Sequence, residues 1–136
     1  ELQVEAAAGP VRVAANAAFP RGRDLETGKS ITDIGAARAT LDVRIPLTRL
    51  MPLGVLAVRT RWTNASESDD AATETTLSRP AFWTASADLS TLLWNTRLTV
   101  TVKNLTNTRY REPMSFIAEP GRSVLLSMRR ELALPL

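Results

Sequence analysis

The side chains here that carry chemistry are guanidiniums, ammoniums, carboxylates and hydroxyls, because the chain contains no cysteine and no histidine. That removes thiol nucleophiles, disulfides, the imidazole base of most catalytic triads and the usual zinc ligands, and leaves only oxygen atoms for a metal. Two carboxylate pairs, Asp69 with Asp70 and Asp24 with Glu26, have a spacing open to acid–base work of the glycosidase kind. Both lie in polar stretches with no apolar neighbourhood to raise a carboxyl pKa, so they read as solvated loops and the chain as no enzyme. The stronger candidates are cationic: Arg59 and Arg61, one residue apart, and Arg109 and Arg111, with Met114 and Phe116 close by. Their charge suits an anionic ligand such as a metal chelate, and no cofactor and no metal site is expected.

Those arginines need a scaffold, and the composition allows one. Apolar residues make up 44% of the chain and charged residues 23%, the balance of a folded protein, and 136 residues suffice for one domain, 1–136. The formal charge is +3 and the pI about 10.2, yet the basic residues are scattered among 14 acids. No run of lysine and arginine gives the electrostatic footprint of a nucleic-acid partner. No stretch approaches the roughly 18 to 20 apolar residues of a membrane helix, and the first residues do not have the pattern of a signal peptide. Neither observation bears on a β-barrel, whose strands of about 9 to 11 residues are apolar only at alternate positions.

Apolar residues recur at a spacing of two nearly everywhere, which predicts strands and no helix. Leu2 to Ala8 and Val11 to Phe19 flank a tight Gly9-Pro10 turn. Residues 36–46 set Ala39, Leu41, Val43 and Ile45 against Arg38, Thr40, Asp42 and Arg44, and Pro46 ends the strand. After a short turn at Met51-Pro52-Leu53-Gly54, Val55 to Asn64 sets Leu56, Val58 and Trp62 against Arg59 and Arg61. Ala81 to Thr91, a turn at Trp94-Asn95-Thr96, a strand ending near Lys103, and a last strand with Val124, Leu126 and Met128 complete seven. The expected fold is all-β, an antiparallel up-and-down meander of about seven strands.

Short and long connections alternate along this meander. The long ones, about 20–35, 65–80 and 104–122, exceed the hairpin norm, as they do on the outer side of membrane barrels. Aromatic residues avoid strand centres: Phe19, Trp62, Phe82, Trp83 and Tyr110 fall near long-loop ends, and Trp94 in a short turn. Indole and phenol rings favour the membrane interface, so Phe19, Trp62, Trp83, Trp94 and Tyr110 are candidate interface anchors. The opposite face, Glu5, Arg12, Arg38, Asp42, Arg44, Arg59, Arg61, Asp88, Lys103, Arg129 and Glu131, is charged even at mid-strand. Alternation alone does not say which face is inside, so a soluble, lipocalin-like all-β binding protein is the alternative.

The stretch from Asn104 onward is the most specific. Asn104, Leu105, Asn107 and Tyr110, followed by Pro120, Gly121 and Arg122 and a last amphipathic strand, resemble the closing hairpin of TonB-dependent outer-membrane receptors. The resemblance implies a place in the bacterial outer membrane as the C-terminal segment of a transmembrane β-barrel, a curved open sheet in isolation. It implies a parent that imports ferric siderophores or similar scarce nutrients, and as partners outer-membrane lipid, a plug domain, TonB and the barrel-assembly machinery. Leu132 stands where the last strand of such proteins usually has an aromatic residue. No plug domain has a counterpart in these residues, so the segment is expected to form barrel wall and not to transport alone. Arg59, Arg61, Arg109 and Arg111 would then face the ligand or the plug.

Overall fold

The computed structural model describes residues 1–22, 25–26, 35–70, 75–112, 115 and 117–130, those at 68–70 and 75–77 by their backbone alone. Asp24, Pro113, Met114, Phe116, Glu131 and Leu132, and the side chains of Asp69 and Asp70, lie outside the described residues. The described part is all-β, without a helix: β1 (Leu2–Ala8), β2 (Val11–Ala18), β3 (Arg38–Pro46), β4 (Val55–Thr63), β5 (Ser66–Asp70), β6 (Thr75–Arg79), β7 (Phe82–Leu93), β8 (Thr96–Lys103) and β9 (Ser123–Arg130). Seven strands form one antiparallel sheet in the order β1-β2-β3-β4-β7-β8-β9, each beside its neighbour in the chain apart from the excursion of β5 and β6. The sheet is open, with β1 and β9 as its edges.

The second long connection corrects the sequence reading. It is not a plain loop but carries a hairpin, β5 paired with β6 from Ser66↔Arg79 to Asp70↔Thr75, as a separate two-stranded sheet. Its residues, Ser-Glu-Ser-Asp-Asp and Thr-Thr-Leu-Ser-Arg, lack the alternation that marks a half-buried strand, and its two strands neighbour each other and no strand of the main sheet. The strand β7 is also longer than its apolar pattern, running on through Leu92 and Leu93 to the turn.

The connections at one end of the sheet are built from turn chemistry. Gly9 has φ +60° and is followed by Pro10, the arrangement of a type II′ hairpin turn with glycine first. Trp94 and Asn95 both have positive φ, 45° and 61°, as a two-residue type I′ turn demands, although a tryptophan is a poor occupant of that region. Between β3 and β4 the turn at 51–54, closed by Gly54 N–H donating to Met51 O at 3.0 Å, is the second half of an eight-residue link, 47–54, in which Leu47 N–H donates to Gly54 O at 2.7 Å and Met51 N–H to Leu47 O at 2.9 Å. All the short connections therefore lie at one end and the long ones at the other.

Register sorts the side chains cleanly. One face holds the rows Leu2, Ala17, Ala39, Trp62, Trp83; Val4, Ala15, Leu41, Thr60, Ala85; Ala6, Val13, Val43, Val58, Ala87, Val102, Val124; and Ala8, Val11, Ile45, Leu56, Leu89, Val100, Leu126. No charge stands in these four rows; the one charge on this face, Arg130, sits opposite Thr96 beside the Trp94-Asn95 turn. Every charged side chain the alternation assigned to the other face, where described, is there. Because the sheet is a single layer, the apolar face has no second layer to pack on. Trp62 is 43% exposed, Trp83 55% and Met128 70%, and among the described residues Phe82 alone is a buried apolar side chain.

Gly54 is the tightest glycine of the scaffold. A Cβ there would come 2.8 Å from Met51 Cβ and 3.3 Å from the Met51 carbonyl oxygen, so the 47–54 link has no room for one. Gly54→Ala is expected to cost about 1–3 kcal/mol through overpacking. Gly35→Ala, which enters open space, should change stability by less than about 0.5 kcal/mol. Urea unfolding of both variants in detergent micelles, followed by circular dichroism, checks the difference.

Candidate functional site

At the long-loop end β7 extends past β8, so the backbone carbonyls of Trp83 and Ala85 have no β8 partner. Buried or half-buried carbonyls of this kind must find donors. The stretch after β8 supplies them: Leu105 N–H donates to Ala85 O at 2.7 Å and the Thr108 hydroxyl to Trp83 O at 3.2 Å. The chain can turn back along β7 because Asn104 and Asn107 both take positive φ, 51° and 52°, a region that asparagine tolerates better than most residues.

Asn104 is the hub of this cap. It is buried, and its amide nitrogen donates to Thr108 O at 2.9 Å and Pro120 O at 3.3 Å. Its Oδ1 accepts from Thr108 N–H and from the Thr106 hydroxyl, both at 3.1 Å. Asn107 Oδ1 accepts from Arg122 N–H at 3.1 Å, and the Arg122 guanidinium donates to Leu105 O at 2.8 Å. Gly121 is small for a reason, since a Cβ there would stand 2.9 Å from Asn107 Oδ1. Six of the seven motif residues thus knit the stretch just after β8 to the stretch just before β9.

The seventh, Tyr110, which its sequence position places among the interface aromatics, lies on the charged face and not beside Trp62 and Trp83. Its ring stacks on Phe82 with centroids 4.4 Å apart, and Arg61 stands over both rings at 5.6 Å. The Arg61 guanidinium also pairs with Glu112 at 2.5 Å, while its Nε is buried without a hydrogen-bond partner. Phe19, beyond the end of β2, is exposed and helps line a cleft of about 530 Å³ with Arg38, Arg61, Thr63 and Glu112. Trp94 is exposed at the opposite end of the sheet.

The four arginines picked from sequence do not converge. Arg59 is held by Asp42 across β3 and β4 at 2.7 Å, an exposed pair of the kind worth at most about 1 kcal/mol. Arg61 belongs to the aromatic cluster, and Arg109 and Arg111 are exposed in the loop beyond it. Asp88, also on the charged face, accepts from the Thr101 hydroxyl. Sequence reasoning missed the Arg61–Glu112 pair, whose members are separated by 51 residues, and no local pattern signals it. Among the described residues no cluster of acidic side chains could hold a metal ion. No family model, no curated protein and no solved structure matches this chain.

Two measurements probe the cap. Asn104→Ala removes the donor to the Thr108 and Pro120 carbonyls and the acceptor for the Thr108 amide, and should cost about 1–3 kcal/mol in urea unfolding. Tyr110 is the single tyrosine, and burial pushes its phenol above the usual 10.0, with Glu112 and Glu119 adding and Arg61 opposing. A raised acid pKa favours the neutral phenol in the fold, so its contribution is full below 10.0 and is lost as pH rises through the raised value. Absorbance titration should therefore show tyrosinate forming above pH 10.0 in the folded chain and near it in urea.

Proposed function

We propose that this chain forms the C-terminal part of the wall of a TonB-dependent outer-membrane receptor, its uncharged face against lipid and its charged face against a hydrated interior. The parent would import ferric siderophores or similar scarce nutrients; this segment alone supplies wall, not gated transport or catalysis. The observation that carries the reading is the apolar face: four uncharged rows of alanine, valine, leucine and isoleucine with one threonine, edged by Trp62 and Trp83, with none of the described residues packed on them as a second layer. A soluble sheet of this size would have to bury that face against a second layer, whereas a lipid-facing one needs no jigsaw partner.

Further features fit the same assignment. Arg130 lies at the sheet's short-turn end, where an arginine on the lipid face costs roughly 0–1 kcal/mol instead of the 2–4 of the midplane. The edge strands β1 and β9 run in the same direction, so closing this sheet antiparallel takes an odd number of additional strands between them. The motif residues Asn104, Leu105, Asn107, Tyr110, Pro120, Gly121 and Arg122, by which the chain resembles the family, act together at the long-loop end.

Refolding single-tryptophan variants into vesicles of lipids brominated along the acyl chain tests the face assignment. Trp62 and Trp83 should be quenched more by shallow bromines than by deep ones, as should Trp94. A detergent-free monomer with unquenched tryptophans would overturn the membrane reading in favour of a soluble binding protein.

A further inference from the structure

Two pairs of arginines on the charged face stand directly opposite each other on neighbouring strands: Arg12 with Arg44 across β2 and β3, and Arg97 with Arg129 across β8 and β9. Like charges at opposed positions repel and weaken a sheet, so each pair is a local cost. None of the four makes a hydrogen bond or an ion pair among the described residues. Of the described carboxylates on this face, Asp42 pairs with Arg59, Asp88 accepts from the Thr101 hydroxyl, and Glu5, at the rim beside Arg12, accepts from the Gln3 side-chain amide at 3.1 Å. Each pair borders an open recess. The one at Arg12 and Arg44 is about 550 Å³ and is also lined by Arg59, Asp42 and Glu5, three guanidiniums to two carboxylates, and the one at Arg97 and Arg129 is about 400 Å³, beside Leu92 and Asn95.

We propose that the two pairs anchor carboxylates of a single acidic polypeptide surface lying against the charged face. A guanidinium grips a carboxylate with two parallel hydrogen bonds, and two guanidiniums side by side lose their mutual repulsion once an anion sits between them. The spacing argues for a polypeptide. Four strand steps of about 4.8 Å and four residues of about 3.3 Å along the strands separate the pairs by roughly 20–25 Å along the sheet. A small anion reaches one pair and leaves the other unrelieved. A uniform polyanion such as nucleic acid would meet the carboxylates of Glu5, Asp42 and Asp88 on the same face. A protein surface can place acids at two points and neutral groups between. The inference needs only the charged face and stands whether the other face meets lipid or not.

The test uses two labelled peptides and the whole chain folded in nonionic micelles, read by fluorescence anisotropy. One peptide carries two Asp-Asp-Glu clusters separated by about seven neutral residues, enough to span the gap at 3.3–3.6 Å per residue. The other carries one cluster. The two-cluster peptide should bind at least about 100-fold more tightly, through intramolecular engagement of the second site. Arg12→Ser with Arg44→Ser, or Arg97→Ser with Arg129→Ser, should each bring it down to the one-cluster level. These changes remove repulsion, so circular dichroism should show strand content intact; the corresponding Lys variants, which keep charge and lose the fork, should fall between. Equal affinity for both peptides, affinity indifferent to the substitutions, no binding at all, or citrate binding as tightly as the two-cluster peptide would each overturn the proposal.

Discussion

Strand register is the constraint on which this structure rests. The side-chain period of a strand is two, so slipping one strand past its neighbour by a residue moves its whole apolar set to the opposite face. On β4 such a slip would carry Arg59 and Arg61 into rows now held by Val58, Thr60 and Trp62. In a soluble protein, burial in a dense core punishes that error. Here the described residues form no such core, and the correct register is held by the turns and by the cap at the long-loop end. The type II′ turn at Gly9-Pro10 and the Trp94-Asn95 turn each fix one pairing without a residue to spare. At the third, the eight-residue link gains its rigidity from the contact at Gly54 and the bonds that close on Leu47.

The cap answers a problem created by unequal strand lengths. With twelve residues β7 outruns the eight of β8, and a bare stretch of its edge would offer unpaired carbonyls to any passing chain. The residues from 104 to 110 cover that stretch using side-chain amides and hydroxyls where a ladder would use backbone. Asn104 is suited to the hub because one side chain supplies both donor and acceptor and its backbone accepts positive φ. The cap's dependence on Asn107, Gly121 and Arg122 then ties the start of β9 to the end of β8 across a loop that would otherwise leave their register free.

Much of this was legible in the chain because the information is local. Alternation located all seven strands of the main sheet and put the described charges it assigned on the right face, though it passed over Arg97, and the asparagines and Gly9-Pro10 marked turns through their own backbone chemistry. What escaped has a common physical origin. The β5–β6 hairpin is polar in sequence at all but Leu77, so no apolar period marks it. The Phe82–Tyr110 stack and the Arg61–Glu112 pair join residues far apart in sequence, and their geometry is set by how the loop folds back. Tyr110 could be placed near the right end of the sheet from its position in the chain, but not on the right face, since a loop residue has no strand parity to read.

That face matters to how the long-loop end is built. At the level of β4's last turns, consecutive residues Arg61 and Trp62 point to opposite sides, and so do Phe82 and Trp83 on β7. On one side the indoles of Trp62 and Trp83 stand opposite each other and exposed. On the other, Phe82 is buried beneath Tyr110, with a guanidinium over both rings and a carboxylate beyond it. Aromatic area is thus spent differently on the two sides: exposed indoles suit a boundary that is part apolar and part wet, while the stacked pair shields a partly desolvated cation from water and strengthens its attraction to the rings. A sheet one layer thick has to be finished on both surfaces at its rim, and the alternation of cation, indole and phenyl across two neighbouring strands accomplishes both with four residues.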